Sequence, residues 1–309
     1  MLRLVFTFGC ALLLSMTAGI HTARSAVDIE TAAKIYQDAA MREQVRASLG
    51  SMPAHIRQLF STDTASAKLS EPQMNAVTEA AKRGFRIDVF EAPALSALAA
   101  NLDAATVKKT EAFLGSDLGR RMVAADVATA KLEEPTIDKI MNGDLSAPST
   151  PRRNALFDKL EIAMRSTEST VQIFMSMGQA VEMGIAVGAG RERTTVPDNA
   201  RQSGESGRAA LEKSMNEPLR RYMAYSYRDL TDSDLKNLLS FLQSAPGKRY
   251  VAAYIASLGA GYDAMGRRCG EHLGESLREL AQAQLDVPTT SPPMASPPPA
   301  IAAPAPLKP

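Results

Sequence analysis

The sequence predicts an all-α protein, and three observations carry that expectation. Strand signals are nearly absent, alanine-rich stretches with apolar residues three or four apart run almost continuously from Asp28 to Leu285, and capping residues stand where those stretches begin. A phrase is also written twice. Phe113–Ala125 reads FLGSDLGRRMVAA and Phe241–Ala253 reads FLQSAPGKRYVAA, identical at eight of thirteen positions, where chance gives about one. The expected architecture is two related helical repeats of helix–turn–helix units, over 28–142 and 151–286, followed by a disordered Pro-rich tail over 287–309.

The elements are taken in chain order. Residues 1–25 hold Arg3, an apolar run from Leu4 to Ala18, and small residues at Ala23 and Ser25. This is the pattern of a secretory signal peptide cleaved after Ser25, which also discards Cys10. Loss of Arg3 and Arg24 leaves 33 bases against 34 acids, a balance that argues against nucleic acid or an anionic membrane surface as the main partner. Only Cys269 then remains, so no intrachain disulfide is available and stability rests on burial. The best candidate for a membrane span, Ile173–Gly190, carries Gln179, Glu182 and four glycines, and the mature chain is expected to have no span and to be periplasmic or secreted.

Caps place the helices. Ser70 is followed by Gln73, Asp103 precedes Ala104, Thr150 precedes Pro151, and Thr231 is followed by Asp234. The turn-rich connector Gly143–Pro151 lies between the two copies of the phrase and marks the domain boundary. Arg191–Arg208 is polar without periodicity and reads as a mobile insertion. The tail holds nine of the chain's 18 prolines, which suits neither a ladder nor a packed core.

In each copy of the phrase a helix ends at Phe-Leu, and Ser116 or Ser244 stands at the N-cap of the next helix. Gly119 and Gly247 follow inside the first turn, where glycine costs about 1 kcal/mol against alanine and implies close approach of the preceding helix. The rows Gly119–Val123–Val127 and Gly247–Val251–Ile255 are expected to pack, with Arg121 and Arg249 solvated or paired at the surface. Phe113 and Phe241 are expected at equivalent buried positions.

The pattern Phe-x-x-Ser-x-x-Gly followed by bases, after the acidic-capped helix LTDSDLKNLLS, resembles the bacterial exported proteins of domain of unknown function 2059. The resemblance is most specific over Leu230–Ala256, is echoed over Leu102–Ala128, and extends to the opening helix Ala33–Leu49. It implies an exported all-helical protein and assigns no catalytic residues. Leu114 and Leu242 stand where the family usually has an aromatic, and its proline after the serine is Asp117 in one copy and displaced to Pro246 in the other.

Chemistry-bearing patterns are few. Cys269, His272 and Glu275 lie within seven residues, but Cys269 belongs to the apolar stripe Val251–Ile255–Leu258–Tyr262–Met265–Cys269–Leu273. At 100° per residue the other two fan away from it, which predicts a buried inert thiol beside a surface histidine and no metal site. Met164, Met175, Met177 and Met183 read as packing material rather than a copper site. Gly184, Gly188 and Gly190 read as a close-packed helix end, since no strand precedes them. Gly266, Gly270 and Gly274 form a smooth ridge that suits close helix packing within the chain, or a homodimer. No nucleophile elbow or His-Glu-x-x-His pair occurs, and His55 and His272 are the only histidines past residue 25. Carboxylates are expected on solvent faces, and the absence of tryptophan demotes a sugar-binding role. The expectation is a non-enzymatic exported protein without cofactor, acting on a protein partner or the envelope; the alternative is a carrier of a lipid or other small apolar ligand. A hydrolase relying on His272 ranks last.

Overall fold

The computed structural model describes residues 26–50, 52–53, 57, 69–190 and 198–285, and all regular structure among them is helical. The signal-like segment, His55 and the Pro-rich tail lie outside the described residues. The helices are α1 (Ile29–Asp38), α2 (Met41–Leu49), α3 (Glu71–Gly84), α4 (Ile87–Asn101), α5 (Ala104–Leu114), α6 (Asp117–Ala130), α7 (Glu134–Asn142), α8 (Pro151–Met164), α9 (Ser166–Gly188), α10 (Asp198–Ser226), α11 (Asp232–Gln243) and α12 (Ala245–Leu285). No helix among the described residues is long and apolar enough to cross a membrane.

The sequence caps operate as caps. Ser70 with Gln73 and Thr231 with Asp234 close reciprocal capping boxes, while Asp103 and Thr150 accept from the backbone N–H of Thr106 and Arg153. Each satisfies a donor that the start of a helix leaves without an intrahelical partner. At α1–α2 and α8–α9 the chain turns without glycine, through Ala40 at φ 49° and Arg165 at φ 54°, each costing about 1 kcal/mol for a left-handed non-glycine residue. The Arg191–Arg208 segment departs from its expectation. Its residues from Asp198 onward belong to α10, which buried Met215 and Met223 anchor further along, while residues 191–197 lie outside the described residues.

α12 organises the molecule. Its 41 residues span about 60 Å at 1.5 Å per residue, and they pack against α3, α4 and α5 as well as α9 and α11. One buried cluster joins Ile35, Phe90 and Leu98 to Leu235, Leu238 and Met265, so residues before and after the Gly143–Pro151 connector share a core. α9 runs parallel to the second half of α12 with backbones nearly touching. A Cβ on Gly266, Gly270 or Gly274 would run into the carbonyl oxygens of Met177, Val181 and Ile185 in turn, and one on Gly184 or Gly188 into those of Arg267 and Glu271. The glycine ridge therefore packs inside one chain.

The two written-twice corners share one local geometry. Ser116 Oγ donates to the Phe113 carbonyl at 2.6 Å and accepts from Gly119 N at 3.0 Å, and Ser244 Oγ repeats both bonds at 2.6 and 3.1 Å. A Cβ on Gly119 or Gly247 would overlap the carbonyl oxygen of Phe113 or Phe241, which is why each first turn tolerates a glycine. The corners also meet. The rings of Phe113 and Phe241 stack with centroids 4.0 Å apart and planes 4° from parallel, so both are half-buried against each other rather than fully enclosed. Arg121 binds Asp234 with two bonds of 2.8 and 3.0 Å, and Arg249 pairs reciprocally with Asp103.

Candidate functional site

The expected row of α6 is packed in part: Gly119 is buried and Val123 packs partly covered against the core. Met122 and Thr129 are buried with Gly119, and the outer sides of Val123 and Val127 line an open groove together with Asp38, Glu43, Arg120 and Lys131. Asp126, four residues past Met122 and three before Thr129, therefore stands on the inward face of α6. Asp126 is partly covered there, so the expectation that carboxylates occupy solvent faces holds only in part at this position.

Tyrosines surround this carboxylate. The phenol of Tyr227, a fully buried residue just past α10, acts on the Asp126 carboxyl, and the phenols of Tyr222 on α10 and of Tyr250 and Tyr254 on α12 feel its charge. Tyr250 and Tyr254 sit side by side with ring centroids 6.0 Å apart. Tyr254 in turn donates to Gln44 Oε1 of α2 at 3.3 Å. Further along α12, Tyr262 lies edge-on to Phe90 at 5.4 Å and shares a 3.3 Å hydrogen bond with Ser48. Six of the seven tyrosines of the chain contribute to this belt or its margins, counting Tyr36, whose hydroxyl faces Glu91.

The electrostatics follow from burial. Loss of water pushes the Asp126 carboxyl up to about 7, opposed only by the Tyr227 phenol. Burial pushes the phenols up in turn: Tyr222 to about 12, and Tyr227, Tyr250 and Tyr254 further, with the Asp126 charge adding to each. The tyrosines therefore stay neutral donors at ordinary pH, and Asp126 is the group among them that can change charge. No arginine, lysine or histidine acts on its carboxylate. Arg153 donates to the backbone oxygens of Tyr227 and Leu230 at 2.8 Å each and is neutralised by Asp232 at 3.1 Å. It fixes where Tyr227 stands without touching Asp126.

The residues singled out in the sequence take other places. Cys269 is buried, its Cα and Cβ pressed against Gly84, and burial pushes its thiol up to about 12. His272 is more covered than expected, its side chain 15% exposed, and its Nδ1 lies 3.3 Å from Glu275 Oε2. The helix turns the pair away from Cys269, and no metal-binding group of three His, Cys, Asp or Glu occurs among the described residues. Met177 fills the α9–α12 seam while Met183 is exposed, so the methionines do not converge. Gly184 and Gly188 are packing positions, as the spacing predicts.

The tyrosine belt was not read from the sequence. A signal existed: Asp126 recurs four residues after Met122 on a helix whose other face is charged, and five tyrosines crowd 222–254. No known family, curated protein or solved structure matches this chain.

Proposed function

We propose that this chain is an exported, non-enzymatic helical protein of the bacterial envelope that works through a protein-protein interface on α8 and α9. One observation carries the interface: four of the five large apolar side chains that stay exposed among the described residues fall on these consecutive helices, Ile162 at 70%, Phe174 at 42%, Met183 at 43% and Val187 at 48%. Of these, Met183 and Val187 stand four residues apart on α9 and share one face, and a contiguous exposed apolar face of this kind is the candidate interaction surface. Export rests on the signal-like first 25 residues, and the resemblance to domain of unknown function 2059 agrees with it. The shared geometry of the two corners supports their origin by duplication.

A photo-crosslinking residue placed at 183 or 187, in cells of the native host, tests the interface. Adducts to one protein from both positions, and none from exposed Lys248 on α12, are expected; equal labelling from all three positions sinks the proposal. Native mass spectrometry of the protein from its own host separates the alternative, because a co-purified apolar ligand mass supports a lipid carrier and a bare polypeptide mass does not.

A further inference from the structure

We infer that the unit written twice in this chain, the helix leading into each Phe-Leu corner together with the phrase itself, is a pairing module whose partner is a second copy of the same unit, so that the protein carries both halves of one self-recognising pair.

Duplication alone leaves two copies anywhere in a fold. Here each copy touches the other, and it does so with corresponding positions. Phe113 meets its own counterpart Phe241, ring on ring at 4.0 Å. Eight residues after each phenylalanine stands an arginine, Arg121 or Arg249, and each reaches out of its own corner to the first turn of the helix that leads into the other. Arg121 binds Asp234 at the start of α11 with bonds of 2.8 and 3.0 Å, and Arg249 binds Asp103 at the start of α5. Two patches that each give a ring to the other's ring and an arginine to the other's helix start make an isologous contact, the kind that joins identical subunits. Its centre is an aromatic stack and its flanks are charge-assisted bonds.

The acid does not hold the same position in the two copies. Ten residues before the phenylalanine stand Asp103 and Thr231, and seven before it stand Thr106 and Asp234, so aspartate and threonine have changed places. Asp103 and Thr231 are both N-caps, accepting from the backbone N–H of Thr106 and of Asp234. Either residue type satisfies that cap. The further demand that both arrangements meet is a carboxylate in the first turn, within reach of the other copy's arginine.

The test transposes the acid within the full-length protein and reads unfolding by denaturant. In the native chain Arg121→Ala should raise the unfolding constant about two- to fivefold, the range of partly exposed ion pairs. In Asp234→Thr, which keeps the Thr231 cap, that effect should shrink to what Asp117, bonded to Arg121 at 2.9 Å, supplies. In Thr231→Asp combined with Asp234→Thr, which gives the second copy the acid placement of the first, it should return. The mirror set, Arg249→Ala against Asp103→Thr and against Asp103→Thr with Thr106→Asp, should behave alike. Thr106 is 3% exposed, so where its replacement folds poorly the second copy, whose Thr231 is exposed, decides alone. A contact that arose independently on each side has no reason to accept the other copy's arrangement. Failure of the transposed chain to recover the Arg121 effect, or an Arg121 effect undiminished in Asp234→Thr, overturns the module.

Discussion

Phe113 and Phe241, 128 positions apart, lie face to face with ring centroids 4.0 Å apart, so the two copies of one sequence phrase are each other's packing partner. Aromatic pairs of this kind contribute about 0.5–1.5 kcal/mol beyond the area they bury. A double-mutant cycle with Phe113→Leu and Phe241→Leu should therefore show coupling in that range, measured by denaturant unfolding. Strict additivity would mean that the stack is incidental to stability.

Asp234 serves two helices at once, capping α11 through Thr231 and holding Arg121 of α6. The Arg121 guanidinium, followed by the Thr231 bonds, holds its carboxyl well below the usual carboxylate range. A depressed folded value means that the contribution is present above about pH 4 and is lost as pH falls below it. Arg121→Ala should flatten part of the acid limb of the stability curve, modestly, since solvent screens this exposed pair. An unchanged acid limb would show that capping alone depresses Asp234.

The glycine seam between α9 and α12 invites a comparison within one helix. Gly270→Leu must push the Val181 carbonyl away and should cost about 1–3 kcal/mol or more, with the mass in solution unchanged. A Cβ at Gly259, on the same helix, meets nothing within 4 Å, so Gly259→Ala should stabilise by up to about 1 kcal/mol through helix propensity. Thermal melts of the two variants moving in the same direction would contradict the seam.

Cys269 should be inert in the folded state. With its thiol buried and pushed up to about 12, almost no thiolate forms at pH 8, and labelling by a maleimide should proceed only through unfolding. A rate that tracks the unfolding constant across denaturant is the expected result; rapid labelling in buffer would place the sulfur at the surface.

What could be read in advance was local. Ser70, Asp103, Thr150 and Thr231 act within three residues of themselves, and Gly119 and Gly247 answer to a carbonyl six residues back. The row of α6 was read only in part: Gly119 and Val123 pack, but the buried face is centred on Met122 and Thr129, because which side of a helix turns inward depends on what its neighbours bring. For Asp126 those neighbours lie some hundred residues along the chain, and a tyrosine gives no sign in sequence of whether its hydroxyl will meet water or a carboxylate. The histidine was misplaced for a related reason: 60° off an apolar stripe is the margin of a packed face, half covered when a second helix lies alongside.

The reach of α12 also bears on timing. Residues 245–285 supply the surface on which α3, α4 and α5 close, so the earlier helices have nothing to finish against until that stretch has been synthesised. Until then the chain is a string of amphipathic segments with Phe90, Leu98 and Ile35 unsheltered. Under the export proposed above, this delay would be an asset, because a chain that cannot complete its core early stays pliable enough to pass through a translocation channel. It also makes the molecule indivisible: a stop anywhere before the last helix removes the scaffold of the first hundred residues along with the end of the chain.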